Sequence, residues 1–315
     1  MANPTGTDEV KAKRRSASQW AVAWRRFRRN KAGVFGLAIV IAIVSVGVLG
    51  GFFAPYPARW QIMELGASRQ APSWKHPFGT SNMGHDIFSE VIHGTKYTLY
   101  VAVLVTLITI AISIVIGSIA GFYGGWIDNI LMRITEVFLV FPALLFILVL
   151  LRIFMLTTSG DPTWQIPVIG LEVPTGLSIV AIVLAIFSWS GNARMIRGEF
   201  LRVRELEFIE AERALGASNM RIIFRHVLPN ILSSVIVVSS LTIAYAILVE
   251  AAVSFLGFGD PNTVTWGLIL NENYVDVQRV WWGEIFPGLA VLFAVFGFNL
   301  LGDGLADALN PRLRD

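Results

Sequence analysis

Cysteine is missing from all 315 residues of this chain, which excludes disulfides and thiolate-held metals and leaves the redox compartment open. Charge is sparse as well: Asp, Glu, Lys and Arg make up 15 % of the residues, against roughly 25 % in soluble domains. Lysine is confined to positions 11, 13, 31, 75 and 96, and none of the five follows the G-x-x-x-x-G-K-[ST] pattern whose backbone cradles phosphates. The chain is therefore not expected to hydrolyse ATP itself. No H-E-x-x-H and no G-x-S-x-G occurs, which removes two catalytic patterns of hydrolases. What fills the sequence instead is apolar: 55 % hydrophobic residues and a mean hydropathy of +0.64 describe a polytopic membrane protein. The net charge of +3 does not imply a nucleic-acid partner, because the 25 basic residues cluster beside the apolar runs.

A hydrocarbon core of about 30 Å demands about 20 apolar residues of helix, since every backbone polar group must be satisfied within the segment. Six stretches meet that demand: residues 33–53, 97–127, 130–157, 173–193, 227–249 and 285–302. Five are uncharged, and 130–157 carries Arg133, Glu136 and Arg152 toward its ends. Six crossings place residues 1–32, 194–226 and the tail with Arg312 and Arg314 on one side; the first two segments hold nine and seven Lys and Arg. The other side holds Arg59, Arg69, Lys75, Lys96 and Arg279. The positive-inside rule makes the first side cytoplasmic, both termini included.

Residues 1–16 read as a disordered cytoplasmic tail. Residues 17–32, where Trp20, Trp24 and Phe27 recur at helical spacing among Arg25, Arg26, Arg28, Arg29 and Lys31, read as an interfacial amphipathic helix leading into the first transmembrane helix, 33–53. A cleavable signal peptide fits poorly, because the basic region is long and the apolar run exceeds a typical h-region. An external segment, 54–96, and a five-helix core, 97–315, complete the expected organisation, with the polar loop 194–229 inside that core. Small residues within the spans, such as Gly36, Gly47, Gly117, Ser118 and Ala120, allow helices to approach closely in lipid.

That loop is the most informative segment. Residues 204–215 favour a helix with Leu206, Phe208 and Ile209 on an apolar side and Glu205, Glu207, Glu210, Glu212 and Arg213 on a charged one. Gly216 supplies the left-handed turn that ends a helix, and Ser218 or Asn219 can cap the next, which carries Arg221 and Arg225. Pro229 suits the first turn of the following span. An amphipathic connector lying on headgroups would explain the arginines, but the glutamates between 205 and 212 oppose an anionic surface. A protruding acidic-faced helix suits a protein groove better.

The segment EAERALGASNMRIIFRHVLP (210–229) resembles the signature loop of the permease subunits of ATP-binding-cassette importers: Glu-Ala, a glycine six residues after the Glu, and Leu-Pro twelve residues beyond it. Stretches 25–33, 76–99, 121–142, 250–267 and 286–314 are similar to the C-type permease of dipeptide, oligopeptide and nickel importers, so the likeness runs from about residue 20 to the end. It implies an all-α membrane protein with six transmembrane helices, a type I importer permease fold and a cytoplasmic coupling helix. By this likeness Glu210, Ala211, Glu212, Arg213, Gly216, Ala217, Leu228 and Pro229 meet an ATPase subunit, with Glu212 replacing the family's usual second alanine. The implied partners are a homologous second permease forming a heterodimer, two ATPase subunits that hold ATP and Mg, an extracytoplasmic solute-binding protein and the bilayer. The implied location is the cytoplasmic membrane of a bacterium or archaeon. Di- or oligopeptides are the first expectation for substrate, with nickel or oligosaccharides as alternatives.

Other candidate residues read as structural. His76, His85 and His93 precede the second span with Glu90 nearby, but the G-x-D and turn residues around them suggest a structured loop, and no metal is expected. Arg133 and Glu136 can pair on one helical face, and Glu250 lies near the outer end of its span, not far from Asp260. Trp60, Trp74, Trp164, Trp266, Trp281 and Trp282 fit an interfacial belt. The rival class, an ion-coupled carrier, calls for inverted repeats and mid-membrane acids, and the sequence presents neither.

Overall fold

The computed structural model describes residues 19–58, 67–157, 163–166 and 171–309. The tail 1–16 and Trp60 lie outside these residues. The basic amphipathic stretch forms α1 (Gln19–Phe27), shorter than the expected 17–32, because residues 28–30 turn and Asn30 caps the next helix by accepting from the Gly33 amide at 2.9 Å. That helix, α2 (Lys31–Phe53), is the first candidate span.

Next comes α3 (Ile87–Tyr123), 37 residues long, starting at Ile87 and not at residue 97. The early start has a local cause: the Asp86 carboxylate accepts from the Ser89 amide at 2.9 Å and closes the N-terminus, so part of the expected external segment is helical. A second correction concerns residues 130–157, expected as one span. They belong to α4 (Gly125–Val140) and α5 (Ala143–Thr157), whose axes bend by 83° at residues 141 and 142. Pro142 disfavours the helical conformation in its predecessor, and Phe141 is extended, at φ −66° and ψ 137°.

Strands β1 (Thr163–Ile166) and β2 (Leu171–Pro174) make a small antiparallel hairpin before α6 (Thr175–Arg204). The polar loop holds α7 (Glu207–Ala214), and α8 runs through Asn219–Phe258 with π-helical turns at Ile222–Val227 and Ser254–Phe258. A short α9 (Trp266–Tyr274) precedes α10 (Trp282–Leu309). Among the described residues five helices are long and apolar enough to cross a bilayer, six if the bent α4–α5 pair counts as one. Apart from the hairpin the chain is an all-α membrane protein.

The bundle is organised on α3 and α6, which lie side by side over most of their length. A Cβ on Gly117 would stand 2.7 Å from the Ala193 carbonyl, and one on Gly121 2.6 Å from Phe200 Cβ, so the two backbones meet through glycine. The α2–α10 crossing works the same way, with Gly33 against Gly304. Two cores result. The larger, with Val101, Leu177, Leu184, Ile247, Trp266 and Ile269, fills the middle and one end; the smaller, with Phe122, Phe200, Ile209, Ile222, Val227 and Ile231, sits under the polar loop. Asn30 donates to Asp307 at 2.9 Å beside the Gly33–Gly304 crossing, joining the start of α2 to the end of α10.

Candidate functional site

The polar loop carries a helix that buries one side chain in the bundle and is exposed around it. Arg204 ends α6 and does not begin the loop helix as expected; its guanidinium donates to the carbonyls of Gly121 at 3.2 Å and Phe122 at 3.1 Å. Those are among the last carbonyls of α3, which lack intrahelical donors. Leu206 is extended, and α7 follows with Glu207 and Glu210 in its first turn and Arg213 in its last, the order the helix dipole favours. Ile209 is fully buried in the smaller core, while Leu206, Phe208 and Leu215 are exposed. The expected apolar side is therefore split, with one residue anchoring and the others facing outward. The Arg213 guanidinium lies 5.5 Å from the Phe122 ring centroid, a cation–π contact that holds the far end of α7 on α3.

Gly216 has φ +80°, the left-handed conformation that reverses the chain. The Ala217 amide donates back to the Glu212 carbonyl at 3.0 Å, and Ser218 caps α8 by accepting from the Arg221 amide at 3.4 Å. The Glu212 carboxylate does not simply add charge to an outer face: it lies 3.6 Å from His226 Nε2 on the first π-helical turn, bridging the two arms of the loop. Leu228 and Pro229 continue α8 directly after its first π-helical turn. Glu210, Ala211, Arg213, Gly216 and Pro229 are exposed; Glu212, Ala217 and Leu228 are half-buried. Exposed Met220 and Phe224 flank this strip, so it mixes acidic, basic and apolar groups on one protruding surface.

A second feature could not be read from the sequence. A hollow of about 410 Å³ opens where the bent pair meets α6 and α8, lined by Phe138, Phe141, Phe187, Asn192, Thr242 and Tyr245 among others. Within it Asn192 Nδ2 donates to Thr242 Oγ1 at 3.0 Å. Aromatic walls with a few oriented polar groups suit an organic solute. The signal was present in Asn192 and Thr242 inside apolar runs, but facing them toward each other requires the helix packing.

The remaining candidates separate. Arg133 and Glu136 form the expected pair at 3.0 Å on the surface of α4. Glu250 is fully buried and accepts from Ser254 at 2.7 Å, whereas Asp260 accepts from Thr263 at 2.9 Å. The tryptophan belt needs correction: Trp266 and Trp282 are buried, and their indole N–H groups donate to the carbonyls of Val91 at 3.0 Å and Thr80 at 3.1 Å. Trp74 and Trp281 are exposed, and the Trp164 side chain lies outside what is described. His76 Nδ1 is 2.8 Å from Asp86, with both groups buried, and His93 Nε2 is 3.1 Å from the Tyr56 carbonyl.

Comparison with known proteins supplies the context for this geometry. Residues 113–315 match the family of binding-protein-dependent transport system inner membrane components, and residues 18–72 match the N-terminal TM domain of oligopeptide transport permease C. The dipeptide transport system permease protein DppC of Bacillus subtilis is 35 % identical over 304 residues, 96 % of this chain and 88 % of that protein. The glutathione transport system permease protein GsiD of Pectobacterium atrosepticum is 35 % identical over 296 residues, covering 94 % and 92 %. The oligopeptide transport system permease protein OppC of Bacillus subtilis is 32 % identical over 308 residues, covering 98 % and 94 %. With its polar loop and its apolar spans inside these matches, the chain belongs to the inner-membrane permease family of binding-protein-dependent transport systems.

Proposed function

We propose that this permease carries di- or oligopeptides inward and couples to ATP hydrolysis through residues 205–229. The observation that carries the reading is the loop: a helix anchored by buried Ile209 and turned at Gly216, offering Glu210, Ala211, Arg213, Leu215 and Met220 outward. Such a knob fits a groove on an ATPase subunit. Two ATPase subunits hold the ATP and Mg, a homologous permease forms the other half of the pathway, and a solute-binding protein delivers cargo at the opposite face. The excess of Lys and Arg near the loop and in residues 1–32 supports a cytoplasmic position for the loop and both termini. The aromatic hollow beside the α4–α5 bend forms this chain's share of the pathway wall, and the peptide and glutathione systems of the named relatives support a peptide-like solute.

The energy requirement is modest. Docking need only favour one bundle state over the other by a few kcal/mol in each cycle. The test is reconstitution of the chain with its co-expressed neighbours in liposomes, with peptide uptake and receptor-stimulated ATP turnover both measured. Glu210→Lys and Gly216→Pro are expected to assemble normally while stimulation by loaded receptor disappears. Full stimulation and uptake in both variants would remove the coupling role, and uptake driven by an ion gradient without ATP would move the protein to the carrier class.

A further inference from the structure

We propose that His85, Glu90 and Glu272 bind a divalent metal ion of the kind that accepts imidazole and carboxylate together, Zn²⁺ or Mn²⁺. One ligand atom from each residue lies within 4.8 Å of the other two. Ligands about 2.0–2.2 Å from a shared zinc ion stand up to roughly 4 Å apart, so small side-chain shifts close the three around one ion. Imidazole with two carboxylates is a donor set for first-row divalent ions, with water completing the shell.

Glu90 distinguishes a metal site from a simple ion pair. Its side chain is 2 % exposed and neither carboxylate oxygen has a hydrogen-bond partner. The facing group is His85 Nδ1 at 3.3 Å. A buried carboxylate without hydrogen bonds is strongly disfavoured. Glu272, from α9, brings a second carboxylate to the same point. A divalent cation shared with the His85 imidazole and the Glu272 carboxylate supplies the bonds that Glu90 lacks.

The surrounding backbone is already set for this role. The His85 amide donates to Ser81 Oγ at 3.0 Å, its carbonyl accepts from the Ser81 amide at 2.9 Å, and Asn82 Nδ2 donates to the Glu272 carbonyl at 3.4 Å. The ion would staple the loop before α3, the first turn of α3 and α9 into one cap. Sequence alone set Glu90 near the three histidines but could not supply Glu272, which folding brings from far along the chain. His76 and His93 are engaged elsewhere, so the three-histidine grouping suggested by the sequence is not the site.

The test uses the full chain with its co-purified partner subunits, isolated by a histidine-free tag, stripped with chelator and titrated with ZnCl₂ or MnCl₂. Wild type is expected to retain one ion per copy of this chain beyond what Glu272→Gln retains, to bind it at least about tenfold more tightly, and to gain melting temperature that the variant does not. Glu90→Gln, which removes the buried charge, is expected to lose the ion yet melt no lower than wild type in chelator. A wild-type complex whose melting is unmoved by either metal overturns the proposal whatever the variants do. Equal metal content and equal melting shifts in wild type and Glu272→Gln reduce the cluster to a protein-only ion pair.

Discussion

Ile209 is the buried side chain of α7, and the loop's response to substitution follows chiefly from that anchor. Truncating a fully buried isoleucine costs about 2–5 kcal/mol, here concentrated on a short helix with little other burial. Ile209→Ala is expected to abolish amide-exchange protection across Glu207–Ala214 while the spans stay protected, with loss of receptor-stimulated ATPase activity as the functional readout. Arg213→Ala removes only the contact with Phe122, about 0.5–1 kcal/mol, and should leave α7 folded but looser at its far end. Gly216→Ala forces a Cβ into a left-handed turn at a cost of about 1–2 kcal/mol, so coupling should weaken without being lost, unlike in the proline variant. Much of this was legible in the chain. Gly216 and Ser218 obey local backbone rules that hold whatever surrounds them. Glu212 was not legible, because its meeting with His226 depends on how the two arms of the loop fold back.

Helices were easier to find than to bound. Hydrophobic length located every span, since lipid imposes the same demand on each of them. It could not show that α3 starts at Ile87, which depends on the Asp86 cap, or that Pro142 divides an uninterrupted apolar run. The bend is set by Phe141 taking an extended conformation before proline and by the aromatic contacts around it, including Phe141 against Phe146 at 4.8 Å. Pro142→Leu restores a donor and lifts the restriction on Phe141, so the pair is expected to straighten and narrow the hollow. Peptide uptake should fall sharply while the complex still assembles on size exclusion, and unchanged uptake would dissociate the bend from the pathway. At the other crossing, Gly304→Val places a Cβ 2.6 Å from Gly33 Cα. Overpacking of this kind costs about 1–3 kcal/mol, seen as a lower melting temperature in detergent.

At the scale of the whole molecule, the described residues at the end of the bundle opposite the polar loop form a knit cap. Trp282 bonds the Thr80 carbonyl, Phe78 stacks on Phe286 with centroids 3.9 Å apart, and His76 meets the buried Asp86. Asp86→Ala removes both the α3 cap and the His76 partner, so a loss of about 2–4 kcal/mol is expected, measured as a fall in melting temperature with the helical content of the spans retained. The sequence placed these residues, Phe286 apart, outside the spans but assigned Trp282 to an interfacial belt, because a buried indole and a headgroup indole look alike until the fold supplies a carbonyl partner.

The length of α3 has a mechanical result. At 37 residues it measures about 55 Å, some 25 Å more than the hydrocarbon layer, with Glu90 and Val91 near one tip and Phe122 under Arg213 at the other. A rigid rod of that size tilting by about 10° around its centre swings each tip by about 5 Å, in opposite directions. A push on Arg213 that tilted α3 together with its partner α6 would move the cap the opposite way, like a seesaw.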